Sequence, residues 1–543
     1  MTTSRSGEAG TTLVLPALMI ALASVVVPVL LVQLPALWDY PNHLVRYWIL
    51  LGQAEGTPVA AMYRPDWSLA RTNIGADLLA LVIGRTLSFE AVNPVLVSLA
   101  VLILPLGAIA LNRAVFGGWH FWQVGMVVFT WNFILVAGLL SYQIALGLAL
   151  LAAAIDLGLR RLPVAGRWLV RLGFAAVILT VHVFGLLFFL VLLVAIEIGS
   201  RPPALREPKA WLQLARRVVL AGIVCIIPLA ILILTAPRLP GAHARAEGEH
   251  LLATTMHFHS LLSAERPLAL LTPLRTYSLI ADLVMAAIVL GLLFYALLRG
   301  KARLHAGLFG LGVVLSICSL FMPVAAFGTA LLDTRLPIMA ALMMACGFRP
   351  VVAETPRGRN VALAATLLVV IARSAFVGYV WIERQADVRS VAEATASMQP
   401  GAAVLLAEND PVTWVRWMQA PIGRYSVGMT LYRHTATTIV MSRHAFVPTI
   451  FTAAGKQPLR VLPPWADLAV PEGGIPSVDD LDDPRMAAQS EYAYLVDWRR
   501  RFDYLLLVNA DLPNRGLAIE QVPGISLVSD QGFARLYRID RRP

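Results

Sequence analysis

Charge is scarce in this chain. Asp, Glu, Lys and Arg make up only 14% of its 543 residues, against 58% apolar, and mean hydropathy is +0.71. A soluble fold of this length could not cover its surface with so few charges, which leaves a polytopic membrane protein. Acid is scarcer than base, and the formal net charge is +11. The cations sit in short loops between apolar runs, as the positive-inside rule demands, so their excess points to membrane lipid and to no nucleic acid. Cysteine is nearly absent. Cys225, Cys318 and Cys346 all lie inside apolar runs, where a thiol serves as a small buried hydrophobe; neither a disulfide nor a thiolate metal site is expected. The chain also lacks a phosphate-binding glycine loop, a nucleophile elbow, a paired CxxC, an internal repeat and any low-complexity tract.

What is present begins with an apolar run, Leu13 to Leu34, long enough to span a bilayer and without a small-x-small cleavage pattern. It leads at once into Trp38-Asp39-Tyr40-Pro41-Asn42-His43-Leu44-Val45-Arg46-Tyr47-Trp48. Acid, amide, imidazole and guanidinium alternate there with aromatics, which favour the water–lipid boundary. Asp39 reads as a catalytic or ligand-binding acid with His43 beside it; the plainer reading is a loop that anchors a helix end. Residues 35–73 also carry Arg46, Arg64 and Asp66, and the segment is expected to form short helices along the membrane surface.

Further apolar runs follow: a short one at 74–87, then 92–111, 121–136 and 139–159. The run 169–198 is about 30 residues, more than one span needs. Arginines flank both its ends, so it is expected to cross and return, broken near His182; a single tilted helix is the alternative. A break would set His182 beside a polar cavity. Spans are expected at 218–236, 277–298, 305–322 and 361–381, with a short helix at 338–348. External loops are expected at 237–275 and 324–337. The first of these loops holds His257-x-His259, half a metal site without a third ligand at recognisable spacing. The second holds Asp333 and Arg335. Asp282 and Arg373 lie within spans, at similar depths of about 10 and 13 Å from the outer ends, and can pair. Residues 1–382 thus form a polytopic domain of about 10–13 membrane helices, some broken or re-entrant.

From Glu383 the composition changes. Short buried strands are expected at Val404–Ala407, Thr438–Met441, Tyr504–Val508 and Phe533–Arg538, a helix at Glu491–Arg501, and a loop at Pro464–Asp483. Residues 383–543 therefore read as a small α/β domain outside the cytoplasm.

Three stretches carry a resemblance: Asp39-Tyr40-Pro41-Asn42-His43-Leu44-x-Arg46, Gly138-x-x-Ser141-Tyr142-x-x-x-Leu146-Gly147-Leu148, and Ala445-Phe446-Val447-Pro448-x-Ile450-Phe451. With the span pattern they resemble the GT-C glycosyltransferases, and more narrowly a bacterial multi-pass membrane family of that type. One departure is that many GT-C enzymes carry Asp-x-Asp or a second acid nearby, whereas Asp39 has no acidic neighbour until Glu55 and Asp66. The resemblance implies sugar transfer from a polyprenyl-phosphate donor to an envelope glycan, lipid or protein, at the bacterial cytoplasmic membrane. Asp39 would then be the base and Arg335 the first choice of cation for the leaving phosphate, with Arg46 and Arg64 as alternates. Asp66, His182 and Asp333 are further substrate-binding candidates. No cofactor is expected, and a divalent metal has no ligand set. The rival is a non-enzymatic lipid or glycan transporter, or an envelope assembly protein, coupled through Asp282 and Arg373.

Overall fold

The computed structural model describes residues 13–200, 208–235, 258–260, 263–325, 330–351, 355–426, 429–483 and 490–540. Contacts divide the chain into two compact units. One comprises Met1–Leu30 with Val97–Gly378, the other Leu31–Leu96 with Tyr379–Pro543. Among the described residues, seven helices are long and apolar enough to cross a membrane: Phe89–Phe116, Leu140–Arg161, Val164–Val181, Val183–Ser200, Lys209–Leu234, Leu279–Leu298 and Pro356–Ala394. Val14–Leu30 and Ala306–Ser319 are apolar but shorter. This is a multi-pass membrane protein.

In the first unit, the run 164–200 crosses twice. Helices Val164–Val181 and Val183–Ser200 flank His182, whose backbone is extended. Arg171 bonds Asp156 at 2.8 Å and Glu197 at 3.3 Å. A single helix would separate Arg171 from Glu197 by about 39 Å. The ion pairs therefore require the chain to return, as the arginine clusters implied. Helices Phe89–Phe116 and Leu140–Gly158 cross at glycine: a Cβ on Gly147 would lie 2.7 Å from the Ile103 backbone, and one on Gly107 would lie 2.5 Å from the Gly147 carbonyl. Small residues at such a crossing let the backbones touch, which gives Gly147 of the second motif a packing role.

Three expectations need correction here. The run 121–136 is not one helix but Phe121–Gly125, a 3-10 turn Met126–Thr130 and Phe133–Val136. The Asn132 amide causes the break, donating to Phe129 O, Thr130 O and Gln143 Oε1 while its Oδ1 caps Leu135 N; a side chain has replaced ladder bonds. Residues 324–337 are not all loop, since helix Leu332–Cys346 begins after Leu331, at φ 58°, and carries Asp333 and Arg335 in buried positions. Asp282 lies in the first turn of Leu279–Leu298 rather than deep within it. It accepts from Thr276 N at 2.7 Å and Thr276 Oγ1 at 2.8 Å, and from Arg373 Nη1 at 3.1 Å. Arg373 also donates to the carbonyls of Trp131 and Leu274.

The second unit is built on a four-stranded sheet. Val404–Glu408 runs parallel to Tyr504–Val508, which pairs antiparallel with Ala534–Ile539, which pairs antiparallel with Ile525–Asp530. Residues from the early segment belong to this unit too. Helices Tyr40–Leu50 and Gly75–Thr86 are present, but Tyr63–Pro65 is a strand paired with Leu459–Val461 rather than part of a surface helix. Helix Pro356–Ala394 runs unbroken through residue 383, while the units divide at Gly378 and Tyr379. Thr438–Met441 is helical, not a strand, in Arg433–Thr438 and Ile439–Ser442. The threonines explain it: Thr437 and Thr438 hydroxyls donate to the carbonyls three residues back, a bond that suits a turn and outweighs β-branching. Glu491–Arg501 divides into a 3-10 segment, Ser490–Val496, and Trp498–Arg501.

The Asp282–Arg373 pair is a buried clamp, so losing one partner leaves an uncompensated charge. Asp282→Asn or Arg373→Leu alone should cost about 3–5 kcal/mol, read as a fall in unfolding temperature in detergent. The double variant should recover much of that loss. Two single variants as stable as the parent would refute the clamp.

Candidate functional site

In the second unit the chemistry gathers around Asp39. This residue precedes helix Tyr40–Leu50, with Pro41 in the first turn, and its side chain makes no capping bond. The carboxylate is therefore not spent on the helix end, the usual employment of an acid there. One turn on, His43 donates its backbone N–H to Asp39 O at 3.2 Å. Between them Asn42 fastens a remote segment: its Nδ2 donates to Thr449 O at 2.6 Å, and its Oδ1 accepts from Phe451 N at 2.9 Å. Tyr63 secures the same segment, its hydroxyl donating to Val447 O at 2.6 Å and accepting from Val447 N at 3.2 Å. The first and third sequence motifs are thus bonded to one another.

That docking brings up residues the sequence reading missed. His434 Nε2 lies 3.7 Å from Asp39 Oδ1, beyond a direct hydrogen bond. The rings of His43 and His434 each sit 5.2 Å from that of Phe451. Arg433 is anchored to Glu408 at 2.9 Å. About 21% of the Asp39 side-chain surface is open, at the base of a dense shell of protein. Burial pushes its carboxyl up to about 7; Glu472 adds to the rise, while Arg433 and Arg46 oppose it. Burial drives His434 down to about 3, with Arg433 adding to the effect. Burial likewise holds His43 well below the usual imidazole range, helped by Arg46 and His434. At neutral pH the centre is a carboxyl near its titration point between two uncharged imidazoles. Several buried polar atoms here have no partner among the described residues: Trp38 Nε1, Tyr40 Oη, His43 Nδ1, His434 Nδ1 and Thr449 Oγ1. Native proteins rarely leave such atoms unmet, so they mark a place for a polar ligand or water.

The other early candidates are occupied elsewhere. Arg46 grips Asp77 through Nε at 2.6 Å and Nη2 at 3.2 Å, which takes its fork away from any phosphate. Asp66 caps the turn Trp67–Leu69 and bonds Arg460 at 2.7 Å. The Ser68 hydroxyl is the main cause holding its carboxyl below the usual range. Arg64 is exposed on its strand, opposite Arg460.

In the first unit a second cluster surrounds Arg335. Its Nη1 is 3.5 Å from His182 Nε2, and its Nη2 donates to Ala330 O at 3.2 Å. Its guanidinium lies 4.6 Å from the Phe184 ring centre and 5.3 Å from that of Tyr142. Tyr142 of the second motif donates its hydroxyl to Arg335 O at 3.0 Å. Arg335 Nε has no partner among the described residues, and no carboxylate there bonds this cation. Asp333 instead faces His259 at 3.3 Å, whose other nitrogen is 2.5 Å from Glu265. His257 lies outside the described residues, and among those described no group of three metal-ligating side chains occurs.

No protein-family model matches the chain, and no curated protein matches it in sequence. Its solved structural neighbours include ArnT from Cupriavidus metallidurans in the apo state, 12% identical over 98% of both chains at a TM-score of 0.51. The chain shares its fold with this structure. Weaker matches are ArnT bound to undecaprenyl phosphate (12% identity, 97% and 98% of the two chains, TM-score 0.47) and the mycobacterial arabinofuranosyltransferase AftD (15%, 98% and 40%, TM-score 0.44).

His434 carried no sequence signal: a lone histidine in a polar turn resembles many others. The nearby Ala445–Phe451 motif was the only pointer to that region. The Asn42 fastening explains why these segments share a centre. Asn42→Ala leaves a buried carbonyl and a buried N–H unpaired, at about 1–3 kcal/mol each. The variant should show lower unfolding temperature and faster amide exchange at Phe451; unchanged exchange there would count against the clamp.

Proposed function

We propose that the chain transfers a sugar from a polyprenyl-phosphate donor to an acceptor hydroxyl outside the cytoplasmic membrane, with Asp39 as general base. The observation that carries this reading is the uncapped Asp39 carboxyl, poised near neutral pH beside an uncharged His434. A general base works best when its pKa lies near the working pH. In the step proposed, the acceptor O–H gives its proton to Asp39 and its oxygen bonds to the anomeric carbon. The bond from that carbon to the phosphate oxygen breaks, and the phosphate leaves with the electron pair. His434 and His43 orient the carboxyl and the acceptor. Arg335 of the first unit is a cation without a bonded acid among the described residues, and a guanidinium offers a phosphate two parallel donors. The GT-C fold supports the reaction class. Asp282 and Arg373, the pair on which a coupled transporter would depend, are bonded to each other and to backbone.

The base must be ionised to act, so the rate should rise as pH climbs through about 7 and level off above it. Stability has the opposite sense. The fold favours the neutral carboxyl, so ionising Asp39 destabilises the unit progressively from pH 3.8 to about 7.

Transfer is measured in membranes supplied with polyprenyl-phosphate sugars, after lipid extracts of a deletion strain have shown which sugar modification is missing. Asp39→Asn should lower the rate by roughly 10²–10⁴ and abolish the rising pH limb, with unfolding temperature kept. Arg335→Gln should lower it as well, with partial rescue by Arg335→Lys. Full transfer by a folded Asp39→Asn enzyme would overturn the assignment.

A further inference from the structure

The α/β unit has a second polar recess, away from Asp39, at the carboxyl ends of its two parallel strands. Val404–Glu408 ends in Asn409 and Tyr504–Val508 ends in Asn509. The crevice beyond the carboxyl ends of parallel strands is a recurrent ligand position. Asn409, Asp511, Asn514, Glu520 and Arg535 line a cavity of about 260 Å³, with Leu512 and Ile519 among its apolar walls.

Its hydrogen-bonding capacity is specific. Asn409 is 6% exposed. Its Nδ2 donates to Leu512 O at 2.8 Å, and its Oδ1 has no partner among the described residues. The carbonyl fixes which way this amide points, since a flip would set oxygen against oxygen. Asn509 is fully buried, beside Ala510 of the lining. Its Oδ1 accepts from Arg424 Nη1 at 3.3 Å, and its Nδ2 has no partner. Asn509 also holds φ 55°, a conformation that a non-glycine residue keeps at some cost and often at functional sites. Of the two amides only Asn409 lines the recess, so among the described residues it offers one unmet acceptor, Asn409 Oδ1.

The charges in the recess are already neutralised. Asp511 accepts two bonds from Arg424, at 2.9 and 3.2 Å, and Glu520 pairs with Arg535 at 3.2 Å. No cation is left over for a phosphate. A ligand matched to this lining is neutral, small and hydroxylated: a hydroxyl both donates and accepts, and apolar walls suit the C–H face of a sugar ring. The volume falls below the ~300–1,000 Å³ typical of drug-sized sites, which suits a single ring.

We infer that this recess is a carbohydrate subsite and that the acceptor is a glycan, one of whose rings it holds. The inference rests on the glycosyl-transfer reading and narrows it. Glu408, which directly precedes Asn409, holds Arg433 at 2.9 Å, and Arg433 acts on Asp39. The Glu408–Arg433 pair therefore joins the strand that leads to the recess with the turn that carries His434.

The test is saturation-transfer NMR on the full chain in lipid nanodiscs. The probes are methyl α-D-glucopyranoside, methyl β-D-galactopyranoside and methyl α-L-arabinofuranoside, each at roughly 10 mM, as weak single-ring binding requires. At least one probe should receive magnetisation. Glu520→Trp, which closes the mouth from a position whose side chain is 67% exposed, should cut the signal about fivefold or more, as a clear loss of occupancy. Asn409→Leu should do the same; if it does not fold, Glu520→Trp alone decides. Asp39→Asn should keep the signal, so failure of the base assignment and failure of this subsite are separable. No transfer to any probe, or an undiminished signal in Glu520→Trp, would overturn the inference.

Discussion

The Asn42 side chain holds the centre together. Its amide bonds backbone groups 407 and 409 positions away and so pins the turn bearing Asp39 against Thr449–Phe451. That clamp holds Phe451 within 5.2 Å of both histidine rings. It also closes the shell of protein that desolvates the Asp39 carboxyl. A backbone-to-amide clamp suits this purpose because both its halves are satisfied and it adds no charge to the environment it shapes.

Electrostatics then sorts the acids. Asp77 is taken by Arg46, Asp156 by Arg167 and Arg171, Asp282 by Arg373 and Thr276, and Asp66 by Ser68 and Arg460. Each serves structure. Asp39 stands apart because its nearest partner is a neutral imidazole across 3.7 Å and because burial penalises its charge. Arg335 is the corresponding outlier among the buried cations of the first unit, held by rings, a carbonyl and His182. The residues left uncompensated are those with chemistry to offer.

Much of the scaffold could be read from the residues. Apolar length placed most spans, arginine parity favoured a return near His182 over a single tilted helix, and two opposite charges within spans suggested the Asp282–Arg373 pair. The strands at 404, 504 and 534 followed from short, largely apolar runs bounded by polar turns. What stayed hidden depended on distant contacts or on side chains replacing backbone. The amide of Asn132 breaks an apolar run that looks continuous. Helix Leu332–Cys346 hides behind Asp333, Thr334 and Arg335, which read as loop but are buried. The union of 31–96 with the C-terminal chain has no local signature, since its bonds join residues about 400 apart. Asp39 and His43 were visible because they are adjacent; His434 was not.

The claim beneath the rest is that protein burial lifts one carboxyl into the neutral range. Infrared difference spectra of the full chain against Asp39→Asn, collected across pH, isolate the C=O stretch of that group. The account predicts a protonated carboxyl band that disappears with a midpoint near 7. A band already lost by pH 5, as for a carboxyl near its ordinary 3.8, would contradict it.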